Sequence, residues 1–175
     1  TKATFTVNAP KNVPTKRTVR ESFPIRNYVF FDLNSTEIPK RYVLLQKDEV
    51  KDFKEEELGA KSSDNEKGRS ARQMVVYYNV LNILGDRMQK NPNTSISLVG
   101  SSESGPADGK AMAESVKKYL VDVFAISPTR IAVSGKDKPV LPSEKPGSQN
   151  DLELLRAGDR RVTIESASPE LLMEY

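Results

Sequence analysis

The sequence predicts an α/β (α+β) two-layer sandwich in which helices pack on a mixed sheet. Two observations support this fold class: short runs rich in β-branched or alternating apolar residues, and two longer segments with an apolar stripe at helical spacing. The predicted order is strand, helix, strand, helix, strand and strand, which suits one sheet layer covered by helices. The length of 175 residues is consistent with one domain, since a domain typically holds about 150 residues.

The N-terminal third contains the first predicted elements. Residues 3–7 alternate as a short strand does, and residues 26–33 form an aromatic and β-branched run typical of a buried strand. Residues 46–69 hold six basic and eight acidic side chains and few large apolar ones. This composition predicts a short surface helix over 46–58 and an exposed insertion over 59–70.

The clearest helical pattern covers residues 71–90. This helix should end before Pro92, because the residue that precedes a proline avoids the α region. Its predicted apolar stripe comprises Met74, Tyr77, Tyr78, Leu81, Leu84 and Met88, widened by Val76, Val80 and Ile83.

The C-terminal half alternates strands with one further helix. Residues 95–99 form a predicted strand that ends at Gly100, and a helix runs from Pro106 to about Phe124 because proline suits the first helical turn. A third strand is predicted over 130–134 and a last strand over 161–165. The stripe of the second helix comprises Met112, Val116, Tyr119 or Leu120, and Val123.

The composition excludes several function classes. The chain has no Cys and no His, so it lacks disulfides, thiol nucleophiles, cysteine-ligated metals and the commonest general base. We therefore expect no enzyme activity, no cofactor and no metal site. No apolar run approaches the roughly 20 residues that span a bilayer, so no membrane-spanning segment is expected.

The positive charge is concentrated at the N-terminus. The net charge is +3, and residues 1–20 contain five basic and no acidic side chains. A nucleic-acid-binding domain carries a basic face on its folded part, so we expect no nucleic-acid partner.

Polar residues at predicted strand ends form the candidate ligand site. The loop that follows Gly100 lies at the C-terminal end of a strand, where α/β sheets place their ligands. Arg160 and Arg161 open the last strand and point to opposite faces, so one of them can face this site. Asp159 could orient either guanidinium group. The candidate binding residues are Asp32, Asn34, Ser102, Glu103, Asp159, Arg160 and Arg161.

Three segments within residues 26–166 together resemble the C-terminal, peptidoglycan-associating domain of the OmpA family. Residues 28–35 read Tyr-Val-Phe-Phe-Asp-Leu-Asn-Ser, similar to the family's opening strand and turn. Residues 84–131 contain a strand, a glycine-started loop and the helical run Ala-Glu-Ser-Val-Lys-Lys-Tyr-Leu. Residues 159–164 read Asp-Arg-Arg-Val-Thr-Ile, which resembles the family's last strand.

The resemblance implies a non-catalytic module, periplasmic and outer-membrane-associated, that anchors a larger outer-membrane protein or lipoprotein to peptidoglycan. It also implies a domain over 26–166 with an insertion over about 41–72, preceded by an arm or the end of another domain over 1–25. Residues 167–175 would be a C-terminal extension. The alternative is a protein–protein interaction or scaffold domain that has lost peptidoglycan binding, with another envelope protein as its partner.

Two departures from the family pattern concern the ligand. In the family, an aspartate and an arginine bind the ammonium and carboxylate ends of diaminopimelate. The resemblance places Glu103 near the aspartate position and Met112 at the arginine position. Met112 lies on the apolar stripe, so a core role is expected for it. Losing one charged partner costs about 2–5 kcal/mol, so we expect peptidoglycan binding to be weaker than in the family.

Overall fold

The computed structural model describes residues 22–58, 68–139 and 158–175, together with Thr4 and Thr6. The helices and strands named here are those of the described residues. The strands are β1 (Tyr28–Phe30), β2 (Ile96–Ser101), β3 (Ile131–Lys136) and β4 (Arg161–Glu165). The helices are α1 (Gly68–Tyr78), α2 (Val80–Lys90), α3 (Pro106–Phe124) and α4 (Pro169–Leu172).

The strands form one mixed sheet in the order β1-β4-β2-β3. Strands β2 and β3 are parallel, whereas β4 runs antiparallel to both β1 and β2. One face of the sheet contributes Val29, Leu98, Val162 and Ile164 to a buried core shared with α2 and α3. The predicted two-layer α+β sandwich with helices on a mixed sheet is therefore confirmed.

Glycines allow α3 to approach the sheet closely beside the candidate site. A Cβ atom at Gly100 would lie 1.7 Å from the carbonyl oxygen of Gly109, and a Cβ at Gly109 would lie 2.3 Å from the carbonyl oxygen of Gly100. Such contacts are far inside the van der Waals distance, so only glycine fits at these two positions. The first turns of α3 are thereby held against the end of β2.

The single helix predicted over 71–90 is wrong, because the structure divides it at Asn79 into α1 and α2. The side-chain amide of Asn79 donates a hydrogen bond to the Val75 carbonyl at 2.9 Å. The carbonyl of Tyr78 accepts a hydrogen bond from the Val43 N–H instead of from a helical amide. Side-chain competition for helical carbonyls interrupts a helix in this way.

The predictions for the apolar stripe and for the C-terminal end of this helical segment are partly correct. Leu81, Leu84 and Met88 are buried as expected, but Met74 is 40% exposed. Helix α2 ends at Lys90, as the following Asn-Pro pair predicts.

The surface helix predicted over 46–58 is also wrong. The structure has two short 3-10 turns there, Val50–Asp52 and Glu55–Glu57, separated by an extended Phe53. Leu58 belongs to a small second core with Phe23, and Phe53 packs against it. This packing outweighs the weak helical preference of a highly charged segment.

The remaining predicted strands agree with the structure to within a few residues. Strand β1 is shorter than the predicted 26–33, although Phe31 beyond its end is still buried. Thr4 and Thr6 lie in no regular element, and the other residues of the strand predicted over 3–7 lie outside the described residues. Residues 59–67 of the predicted insertion lie outside them too, as do residues 140–157.

Residues near both predicted domain boundaries pack on the folded part. Phe23 exchanges two backbone hydrogen bonds with Tyr175, and Leu171 of α4 is fully buried in the main core. The boundaries predicted at residues 26 and 166 stay a prediction.

Candidate functional site

A cleft lies between the turn that follows β1 and the loop that follows β2. The turn includes Asn34, whose φ of 60° is the left-handed conformation that asparagine tolerates better than most residues. The loop begins where β2 ends and is held in place by the close approach of α3. The cleft has a volume of about 230 Å³ and is lined by Leu33, Asn34, Ser102, Glu103, Ser104 and Arg160.

Arg160 forms the floor of this cleft and is only 5% exposed. Its Nε donates to the carbonyl of Asp32 at 2.8 Å, and its Nη2 donates to the carbonyl of Ser35 at 2.5 Å. Its Nη1 donates to the Ser102 hydroxyl at 2.9 Å and to the Asp108 carboxylate at 2.5 Å. The guanidinium group therefore ties the turn after β1, the loop after β2 and helix α3 together.

Asp108 is the ion-pair partner of Arg160, and the sequence analysis did not identify it. Its Oδ2 accepts hydrogen bonds from Arg160 and from the Ser102 hydroxyl. These hydrogen bonds, first from Arg160 and then from Ser102, hold the pKa of Asp108 below its ordinary value despite partial burial. The sequence contained one signal for Asp108. It is an acidic residue in the first turn of a helix, where the positive N-terminal end of the helix dipole stabilises a carboxylate.

Asp32 directs its carboxylate away from this cluster. Its Oδ1 accepts a hydrogen bond from Arg41 at 2.7 Å, and both side chains of this pair are largely exposed. Arg41 also donates to the carbonyl of Phe30 at 2.6 Å. The carbonyl group of Asp32, rather than its side chain, contacts Arg160.

Of the two consecutive arginines, Arg160 is the one that lines the cleft. Arg161 lies on the opposite face of β4, where its guanidinium carbon is 4.6 Å from the centre of the Tyr28 ring. Asp159 is half-buried immediately before the pair. The cleft thus unites Asn34, Ser102, Glu103 and Arg160 of the seven predicted site residues, while Arg161 faces elsewhere.

Met112 is fully buried in the main core together with Ala113, Val116 and Leu120. The predicted core role of Met112 is therefore confirmed. Its side chain takes part in the packing of α3 on the sheet.

The cleft offers hydrogen-bond acceptors near one exposed carboxylate. Among the six residues that line it, Glu103 carries the negative charge, and Asn34 and Ser104 add neutral polar groups, whereas the Ser102 hydroxyl already bonds to Arg160, Asp108 and the Ser104 N–H. Arg160 carries the positive charge, but its nitrogens already donate to protein oxygens. A cationic ligand group, such as an ammonium, suits this lining better than an anionic one.

The described residues contain no group of three or more acidic side chains arranged to bind a metal ion. None of the helices in 22–58, 68–139 or 158–175 is long and apolar enough to cross a bilayer.

Comparisons with known proteins found matches among solved structures alone. No protein-family model matches the chain, and no curated protein matches it in sequence. Eighteen chains of solved structures match it. One is the crystal structure of the peptidoglycan-associated lipoprotein from Burkholderia pseudomallei, with 15% identity, a TM-score of 0.47, and coverage of 81% of this chain and 90% of that one. Values this low assign no ligand to the present chain.

Proposed function

We propose that this chain is a non-catalytic module of the cell envelope that associates with peptidoglycan. In this role it would be periplasmic and outer-membrane-associated, and it would anchor a larger outer-membrane protein or lipoprotein. The observation that carries the proposal is the cleft in which Asn34, Ser102, Glu103 and Arg160 meet. These residues come from the three segments whose sequences resemble the peptidoglycan-associating domain of the OmpA family.

The proposed ligand group is the side-chain ammonium of diaminopimelate in the peptidoglycan stem peptide. Glu103 is exposed at the edge of the cleft and would accept its hydrogen bonds, with Asn34 facing it from the turn after β1. A charge-assisted hydrogen bond of this kind contributes about 1.5–3 kcal/mol. Asp32 and Asp159 would add negative potential near the cleft without direct contact.

Recognition of the ligand's carboxylate would be weak. Arg160 already donates to Asp108, Ser102 and two backbone carbonyls, and Met112 replaces the cation that the family resemblance leads one to expect. A carboxylate would have to compete with Asp108 for the same guanidinium group. We therefore propose one-ended recognition, with an affinity below that of a site that retains both charges.

The second candidate is a protein–protein interaction or scaffold domain without peptidoglycan binding. The enclosure of Arg160 by protein oxygens favours it, because such an arginine can be retained for stability alone. In that case the cleft would be a structural junction between the two loops and α3.

A sacculus-binding assay tests the proposal. The intact chain is incubated with purified sacculi of a diaminopimelate-containing bacterium, and the bound fraction is measured with and without excess diaminopimelate. We expect weak binding that free diaminopimelate reduces. Glu103→Gln removes the charge with little change in size and should lower the affinity by about 10-fold or more.

Glu165→Gln is the matched control for this assay. Glu165 is an exposed glutamate at the far end of β4, opposite Ser97 at the start of β2, so its loss should leave sacculus binding unchanged. Sacculus binding that neither diaminopimelate nor Glu103→Gln reduces would reject the proposed site. Absence of any binding would favour the scaffold alternative.

A further inference from the structure

A second cleft lies beside strand β1 and is lined mainly by aromatic side chains. We propose that this tyrosine cleft, formed around Tyr28, Phe30, Met74 and Tyr77, binds an acidic protein segment that presents one large apolar side chain. The cleft has a volume of about 240 Å³ and also includes Arg26 and Arg41 in its lining. This inference is independent of peptidoglycan binding, because it concerns different residues.

The lining has the composition of a protein-binding hot spot. Tyrosine, methionine and arginine are enriched at protein interfaces, and the rigid tyrosine ring provides contact area at low entropic cost. Met74 is 40% exposed within the cleft, although it was expected to lie in the core. Tyr28 and Phe30 alternate with the buried Val29, so they lie on the face of β1 opposite the main core.

The backbone of β1 favours docking through side chains over addition of another strand. Strand β1 is an edge of the sheet. The N–H of Phe30 donates to the hydroxyl of Tyr42 at 2.8 Å, and the carbonyl of Phe30 accepts from Arg41 at 2.6 Å. These side chains occupy the two backbone groups of Phe30 with which an added strand would pair. A partner therefore has to insert a side chain, and the cleft volume suits a single large one.

Charge complementarity indicates that the partner segment is acidic. The two charged residues in the lining are both arginines. The guanidinium carbon of Arg26 lies 4.8 Å from the centre of the Tyr77 ring. That of Arg41 lies 5.5 Å from the centre of the Tyr42 ring. Beside the cleft, Arg161 stacks on Tyr28. Asp32 pairs with Arg41 and offsets one of these charges. Stacking holds the exposed Arg26 guanidinium group over the Tyr77 ring and leaves its edges available to a carboxylate, whereas Arg41 already donates to Asp32 and to the Phe30 carbonyl.

Fluorescence anisotropy with the intact chain tests this inference. The probe is a labelled synthetic pentapeptide with two glutamates on either side of one phenylalanine. We expect saturable binding below about 1 mM. A peptide with alanine in place of phenylalanine, and one with lysines in place of the glutamates, should each bind at least about tenfold more weakly.

Two variants and one control locate the binding. Met74→Glu places a negative charge in the cleft, and Arg26→Gln removes a positive one; each should weaken binding, the former by about tenfold or more. Met173→Glu makes the same change at a methionine that is 57% exposed outside the lining, and it should have no effect. Thermal unfolding of each variant verifies that it is folded.

Three outcomes would overturn the inference. The first is absence of saturable binding by the acidic peptide. The second is binding that Met74→Glu and Met173→Glu affect equally. The third is binding to vesicles of phosphatidylglycerol and phosphatidylcholine without binding to the peptide, which would assign the cleft to a lipid surface. Sacculus binding is measured in parallel and should be unchanged by Met74→Glu.

Discussion

Arg160 and Arg87 are buried to a similar extent, but they join different parts of the molecule. Arg160 connects two loops and the start of α3 at the wall of the candidate cleft. Arg87 lies in α2 and pairs through Nε and Nη2 with both carboxylate oxygens of Glu55. Its Nη1 also donates to the carbonyls of Leu171 and Met173 near the C-terminus.

The difference between the two clusters lies in what surrounds the carboxylate. The side chain of Glu55 is 16% exposed, whereas that of Asp108 is 27% exposed and bonds to Arg160 and Ser102 of the cleft lining. Arg87 therefore has a purely internal role in attaching the 3-10 turn and the C-terminal residues to α2. Arg160 has a similar internal role, because its nitrogens donate to protein oxygens. It is therefore poorly suited to bind a ligand carboxylate. A buried arginine is tolerated here where oxygens surround it.

An arginine introduced at position 112 would lack such oxygens and should have the largest effect. Met112→Arg would bury a charge among apolar side chains, so we expect it to lower the free energy of unfolding by about 4 kcal/mol or more. Urea unfolding followed by circular dichroism measures this loss.

Met112→Leu is the control for that substitution. It preserves the volume and should cost less than about 1.5 kcal/mol. If Met112→Arg is as stable as Met112→Leu and gains sacculus binding that diaminopimelate inhibits, then position 112 belongs to the ligand site and not to the core.

Replacing either buried arginine, Arg87 or Arg160, should have the next largest effect on the free energy of unfolding. Arg87→Met leaves the Glu55 carboxylate unpaired in a mostly buried position and should cost about 3–5 kcal/mol of unfolding free energy. Arg160→Met should cost less, about 2–3 kcal/mol, because Asp108 can turn towards water in the cleft. Both losses are measured by urea unfolding.

Two controls accompany the arginine variants. Adding Glu55→Gln to Arg87→Met removes the unpaired charge and should restore part of the stability. Arg161→Met makes the same change at the neighbouring, half-buried residue and should cost less than Arg160→Met. Equal losses for Arg160→Met and Arg161→Met would show that the hydrogen bonds of the Arg160 cluster add no stability beyond that of a half-buried arginine.

The lowered pKa of Asp108 predicts an acid dependence for the Arg160 cluster. Above the pKa of the unfolded aspartate, about 3.9, the carboxylate is ionised in both states and its full contribution is present. As the pH falls further, through the lower pKa of the folded state, Asp108 takes up a proton and that contribution is lost. The stability difference between the native chain and Asp108→Asn should therefore shrink at acidic pH.

Urea unfolding over a pH series measures this difference. Asp122→Asn, at an exposed aspartate of the same helix, is the matched control for loss of one carboxylate. A stability difference between the native chain and Asp108→Asn that stays constant from neutral pH down to pH values well below about 3.9 would contradict the proposed ionised pair.

The exposed pair between Asp32 and Arg41 should have the smallest effect. Asp32→Asn should cost less than about 1 kcal/mol, because solvent screens exposed ion pairs. The cost should decrease further when the salt concentration rises. Urea unfolding at low and high salt measures both values. A loss as large as that of Arg160→Met, and independent of salt, would show that Asp32 acts as part of the buried cluster.

Local sequence patterns were enough to predict much of the secondary structure in the C-terminal half of the chain. Pro106 begins α3 as predicted, and β4 covers the predicted residues 161–165. The core position of Met112 followed from its place on an apolar stripe. Such features depend on residues only a few positions apart, where backbone preference and side-chain periodicity act directly.

The break at Asn79 and the partners of Arg160 depended on tertiary structure. The predicted helix divides where the N–H of Val43, which is distant in sequence, donates a hydrogen bond to the carbonyl of Tyr78. Asp108 and Arg160 are separated by 52 positions, and no local pattern specifies that they meet. Local sequence patterns predicted where most of the strands lie, the apolar stripe of α3 and the polar residues at the strand ends. Only the folded chain decided which of these groups pair with one another, because ion pairs and hydrogen bonds form between whichever groups the packing of α3 and the sheet brings within reach.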